Sequence, residues 1–204
     1  MINRRTLLTL LAAASSASVA LSSSPAHAQA TEKAAAFAKA TGDKLVSVIN
    51  GPGSDSDKRA ALSRVIDATV DVDGVARFCL GRFWNQATPA QQKEYLSLFH
   101  AVLVTNITSK LGQYQGVSFT MGRSREQGED VAVLTTVLRP NNPPADVDWI
   151  IAGANSNPRI IDVIAEGTSL RLTQRQDYAS FLAHNGNSIA ALISAMRQQV
   201  SQNG

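Results

Sequence analysis

Positions Ala34, Phe37, Thr41, Leu45, Val48 and Ile49 recur at the spacing of one helix face and stop at Asn50-Gly51-Pro52-Gly53, a run of breakers. A second helix is predicted from about Asp57, with Leu62, Val65, Ile66 and Thr69 inward, and a third from about Val72 to Phe83. The sharpest start is Thr88-Pro89-Ala90-Gln91. Threonine caps, proline suits the first turn, and glutamine three residues on completes a capping box. Tyr95, Leu98, Phe99, Val102, Leu103 and Ile107 then form a stripe running to about Gly112.

After Gly116 the pattern becomes alternation: Val117, Phe119 and Met121 sit between polar residues. A turn at Gln127-Gly128-Glu129-Asp130 leads into a second strand, VAVLTTVL, and Asn141-Asn142-Pro143-Pro144 breaks the chain before a third, about 147–152. A fourth follows over 159–165. Helical spacing returns over 170–183 and 188–200, separated by Asn185-Gly186. Helices, then consecutive strands, then helices predict an α+β domain with an antiparallel meander of about four strands packed with N- and C-terminal helices. The strands are apolar on both faces: Val131, Val133 and Val137 alternate with Leu134 and Leu138, and Ile160 and Ile164 with Ile161 and Val163. Either helices cover both faces, or one face lines a cavity for an apolar ligand.

The ends and the charge narrow the setting. Arg4 and Arg5, an apolar run over 7–21 and two A-x-A sites at 26–28 and 28–30 predict a secretory signal peptide, residues 1–28, removed to leave a single domain over 29–204. The apolar run is too short and too serine-rich for a spanning helix. Removing residues 1–28 takes away two of 19 basic residues and no acidic one, so the formal charge of +3 falls to +1. No basic block is left to track a phosphate backbone, which excludes nucleic acid as the expected partner. Cys79 is the single cysteine and sits in an apolar helical pattern, so it reads as a small buried hydrophobe.

Ser169 follows a β-branched run and Glu166-Gly167 and precedes a helix, the setting of a nucleophile elbow. The second glycine of that motif is Arg171 here, and His184 is the one histidine that follows it. The hydroxyl of Thr168 or Ser169 is therefore expected to cap the helix that begins near Leu170, and Ser169→Ala to cost about 1 kcal/mol. No metal-binding spacing and no phosphate loop occurs, so no catalytic residue, metal or cofactor is expected.

Two stretches are more specific: LGRFWNQATPAQQKEYLSLFHAVL, residues 80–103, and VDWIIAGANSNPRIIDVIAEGTSLRLTQRQDYASFLAHNGNSIAALISAM, residues 147–196. Their L-G-x-x-W…T-P-x-Q, D-V-x-x-E-G-x-S-L and terminal F-L…G…L-I features resemble the MlaC, or toluene-tolerance, family of periplasmic phospholipid-binding proteins. The resemblance implies an apolar pocket for phospholipid acyl chains, with the head group in solvent. It implies a soluble periplasmic carrier shuttling lipid between outer and inner membranes. The implied partners are an inner-membrane ABC transporter with a lipid-binding ring and an outer-membrane lipoprotein complex. The hopanoid-associated HpnM proteins share a similar ending, and an adaptor without a ligand is the reading from another class. Two acyl chains hold about 30 methylenes, whose exposure would cost on the order of 20 kcal/mol, so a soluble carrier must bury them. The expected lining is Phe99 and Val102 from the long helix with Val133, Val137, Trp149 and Ile151 from the sheet, and Arg171 and Arg175 are the expected head-group contacts.

Overall fold

The structure, a computed structural model, describes residues 25–203 except residue 110. The predicted signal segment therefore lies outside the described residues as far as residue 24, and its last residues, 25–28, fall in the first turn of the first helix. Among the described residues no helix is long and apolar enough to cross a membrane.

Among the described residues, six α-helices and five strands follow in order: α1 (Pro25–Asn50), α2 (Asp55–Thr69), α3 (Val72–Leu80), α4 (Pro89–Thr108), β1 (Ser118–Gln127), β2 (Asp130–Leu138), β3 (Ala145–Ala152), β4 (Arg159–Ala165), β5 (Thr168–Ser169), α5 (Leu170–His184) and α6 (Ile189–Asn203). The Thr88 capping box forms as its sequence requires, with both reciprocal bonds made. A second box, Ser54 with Asp57, starts α2. The third helix stops earlier than its apolar pattern suggests. Gly81 adopts a φ of 59°, and the chain continues as a 3-10 turn over Gly81–Gln86.

The strands pair in sequence order as an antiparallel meander. Five strands are present where four were expected. The fifth is two residues long, too short for any alternation to announce it. A tight turn creates it: Glu166 and Gly167 both take positive φ, 51° and 80°, the geometry of a type I′ hairpin.

Paired residues share a face, so one side of the sheet carries Val131, Val133, Thr135 and Val137 of β2 opposite Ile151, Trp149 and Val147 of β3. α1 lies on this side. Ala30, Ala34 and Ala38, with Gly42 continuing the four-residue spacing, let its backbone approach the strands closely. Ala34 and Ala38 are buried with Val131, Val133, Ile151 and Ile160 in one apolar cluster. On the other side Ala132 and Ile150 are buried, and Arg125 forms a bidentate pair with Asp148 at 2.9 and 2.8 Å.

A second cluster draws on the helices and on the turn before α4, with no strand residue among its buried members. Tyr95 and Phe99 of α4 meet Tyr178 of α5 with ring centroids 6.0–6.4 Å apart, and Leu192, Ile193 and Met196 of α6 close over them. The Tyr95 hydroxyl donates to the Ala76 carbonyl at 2.8 Å, which satisfies the one polar atom of a fully buried ring.

Candidate functional site

Between α1 and the sheet lies an apolar cavity of about 130 Å³. Gly42, Leu45, Val46 and Ile49 of α1 form one wall, Tyr114, Val117, Ser118 and Phe119 another, and Thr135, Val137 and Trp149 the sheet side. The polar atoms on the sheet side are consumed within it. The Trp149 indole N–H donates to the Thr135 hydroxyl at 2.9 Å, and that hydroxyl donates to the Val147 carbonyl at 3.2 Å. The wall thus presents hydrocarbon. Asn50, the last residue of α1, clasps the start of β1: its side-chain amide donates to the Val117 carbonyl at 2.9 Å and its oxygen accepts the Gly116 N–H at 2.8 Å.

The expected lining residues divide between three places. Val137 and Trp149 line the cavity. Val133 and Ile151 share their face of the sheet but are packed solid against α1. Phe99 and Val102 belong to the helical cluster, facing aromatic rings and α6 rather than strands. The cavity walls from α1 and the 114–119 segment were not expected. The alternation of Val117 and Phe119 marked a strand without indicating which helix lay over it.

Arg171 and Arg175 sit away from the cavity lining, both stacked on the Phe78 ring at 4.7 and 4.9 Å. Arg175 also donates to the Phe78 carbonyl at 3.2 Å. Arg171 Nε, buried, lies 3.4 Å from Asp162 Oδ2 without making a hydrogen bond. Asp162 is the hub of this corner. It accepts the Val163 and Arg171 N–H groups at 2.8 and 3.1 Å and the Ser169 hydroxyl at 2.5 Å. Ser169 in turn accepts the Leu172 N–H at 3.1 Å as the N-cap of α5. Its hydroxyl is bonded to a carboxylate and a backbone amide, and His184 bonds instead to the Ser180 carbonyl. Beside this corner, burial first and the Asp162 charge second push the Cys79 thiol up to about 12.

A second, more open depression of about 380 Å³ is lined by Asp67, Val70, Asp71, Val72, Asp73, His100 and Arg159. In it His100 bonds Asp67 at 2.6 Å, Arg159 donates to the Asp67 carbonyl, and Asp71 caps α3. Among the described residues no group of three or more His, Cys, Asp or Glu could hold a metal ion.

The family model described as MlaC protein matches residues 39–198, from the middle of α1 to near the end of α6. The chain belongs to the MlaC family. Toluene tolerance protein ttg2D of Pseudomonas putida is 24% identical over 144 residues, 70% of this chain and 67% of that one. Among solved structures, the phospholipid-binding protein from Ralstonia solanacearum in complex with a phospholipid superposes with a TM-score of 0.72 at 22% identity, covering 83% of this chain and 97% of that one. The likeness shows that the two chains share a fold.

Proposed function

We propose that this MlaC-family protein is a soluble periplasmic carrier that takes the acyl chains of a phospholipid between α1 and the sheet and moves the lipid between outer and inner membranes. The observation that carries the reading is the apolar cavity at that seam, where the Trp149 indole and the Thr135 hydroxyl on the sheet side are hydrogen-bonded within the sheet. The phospholipid in the Ralstonia solanacearum neighbour supports it, as does the family. An inner-membrane ABC transporter with a lipid-binding ring and an outer-membrane lipoprotein complex are the proposed partners.

At about 130 Å³ the cavity holds a fragment rather than a lipid. A void of about 150 Å³ takes one benzene, and ligand pockets usually start near 300 Å³. Loading therefore requires α1 to part from the strands. The seam suits this, because an alanine methyl contributes only about 0.8 kcal/mol of burial where a leucine would contribute two to three times that. The clasp at Asn50 holds one end while the alanine-lined end lifts.

The small resting volume also favours the rival reading, an adaptor that docks on a transporter and carries nothing. One experiment separates them. The protein is purified, extracted with organic solvent and the extract identified by mass spectrometry, then delipidated and offered vesicles. About one phospholipid per chain is expected. A protein that arrives empty and takes no lipid from vesicles would be an adaptor, and hopanoid in the extract would place it with the hopanoid carriers.

A further inference from the structure

The row of side chains on the cavity face of β2 runs Val131, Val133, Thr135 and Val137, and the next position in the same alternation is Arg139. Arg139 lies one residue past the end of β2, just beyond the apolar floor. Arg139 is not left to wander. Its Cζ lies 5.2 Å from the centroid of the Tyr114 ring, and Tyr114 lines the cavity. Its backbone is fixed as well: the Arg139 carbonyl accepts the Asn142 N–H at 3.2 Å, with Pro140 and a positive-φ Asn141 between, the arrangement of a type II turn. That turn rests on Gly116, where an added Cβ would come within 2.9 Å of the Pro140 ring, and Gly116 is held by Asn50.

Several other cations already have polar partners: Arg125 pairs with Asp148, Arg171 lies against Asp162, Arg175 donates to the Phe78 carbonyl, and Lys58 donates to the Ile49 carbonyl at 2.8 Å. Arg139 has an aromatic platform but no carboxylate partner among the described residues. A guanidinium placed over a ring face still has N–H groups to donate, and a pair of them matches two oxygens of a phosphodiester.

We propose that Arg139, carried on Tyr114 at the end of the cavity floor, receives the phosphodiester of the lipid head group. The proposal rests on the carrier reading and adds a demand for an anionic head to the demand for apolar chains. It assigns that task to the rim of the α1 seam rather than to Arg171 and Arg175.

Delipidated protein is incubated with phosphatidylglycerol vesicles containing a minor share of diacylglycerol with the same acyl chains, and both lipids recovered on the protein are counted by mass spectrometry. Wild type is expected to enrich the phospholipid over the diacylglycerol. Arg139→Gln should lose phospholipid by about tenfold, the scale of a charge-assisted hydrogen bond at a partly wet site, while its diacylglycerol stays the same. Arg139→Lys should fall between. Equal loss of both lipids, no loss of either, or a loss that follows Arg175→Gln instead would overturn the assignment. So would displacement of bound phospholipid by millimolar inorganic phosphate, which would mark a free-anion site. Wild type that takes up neither lipid defeats the carrier reading itself. Wild type that takes up both in their vesicle ratio defeats the head-group assignment alone.

Discussion

The ring of Phe119 lies directly on Gly42: a Cβ built on that glycine would stand 2.6 Å from the ring Cζ and 2.8 Å from Cε1. The contact joins β1 to α1 at the cavity wall, and a hydrogen atom is all the helix can place there.

Gly42→Ala therefore sets two effects against each other. Replacing a helical glycine gains about 1 kcal/mol of propensity, while forcing the half-buried ring aside costs about 1–3 kcal/mol. The expected net is a loss of about 1 kcal/mol, or a midpoint lower by roughly 2–4 °C in thermal denaturation. Adding Phe119→Leu should restore the midpoint, and a double-mutant cycle with no coupling between the two positions would refute the contact.

Ser169→Ala removes more than a helix cap. The cap alone is worth about 1 kcal/mol, but the same hydroxyl donates to the buried Asp162 carboxylate, and a hydrogen bond to a charged group adds about 1.5–3 kcal/mol. A total near 3 kcal/mol is expected by denaturant unfolding, with Ser169→Thr recovering most of it. Lipid uptake by the folded fraction should not change, and release of fatty acid by wild type that vanishes in the variant would make Ser169 a nucleophile after all.

Stability should fall at high pH. The Cys79 thiol is raised from 9.0 to about 12, chiefly by burial, and burial raises the Tyr95 and Tyr178 phenols above their ordinary 10.0 as well. All three groups hold their protons more tightly folded than unfolded, so their contribution is complete below pH 9 and drains away as pH rises through the folded values. The thermal midpoint is expected to be flat from pH 7 to about 9 and to drop above it. Cys79→Ala should delay the onset, and a curve identical to wild type would remove Cys79 from the account. The same burial predicts no reaction of the thiol with a disulfide reagent until the chain unfolds.

Asn50→Ala should loosen one end of α1. Losing the bonds to Gly116 and Val117 is expected to cost about 1–2 kcal/mol. Hydrogen exchange would locate the cost, with faster exchange in α1 and β1 and unchanged protection in α4 and α6. Uniform acceleration across the molecule would mean that the clasp stabilises the whole fold rather than the seam.

Elements with their own local chemistry were legible in the sequence. The Thr88 box, the turn before Asp130 and the breaker loop after Asn50 need no tertiary information, and each appears where it was expected. What local pattern cannot carry is which apolar face meets which. Phe99 and Val102 have the spacing of a buried stripe, but whether that stripe meets strands or rings is decided by where α5 and α6 return. Arg139 was invisible for the same reason. Its meaning comes from Tyr114, 25 positions earlier in the chain, and from the row of β2 that it extends.

Among the described residues, the hydrogen bonds from α2, α3 and α5 to the sheet gather on β4 and its flank. The Asp71 N–H reaches the Ile160 carbonyl, Arg159 reaches the Asp67 carbonyl, and Asp162 holds Ser169 and Arg171. β1, at the opposite border of the sheet, has α1 as its helical neighbour. Mechanically the sheet is clamped to α2, α3 and α5 along β4, while along β1 its helical support is α1 alone. Bending at the β1 border should be absorbed by strand twist before it reaches β4, leaving the ring stack around Tyr95 insensitive to whether the seam is full or empty. Substitutions in that stack should shift how well the molecule survives heating without altering how much cargo it holds, leaving the two properties to be tuned separately.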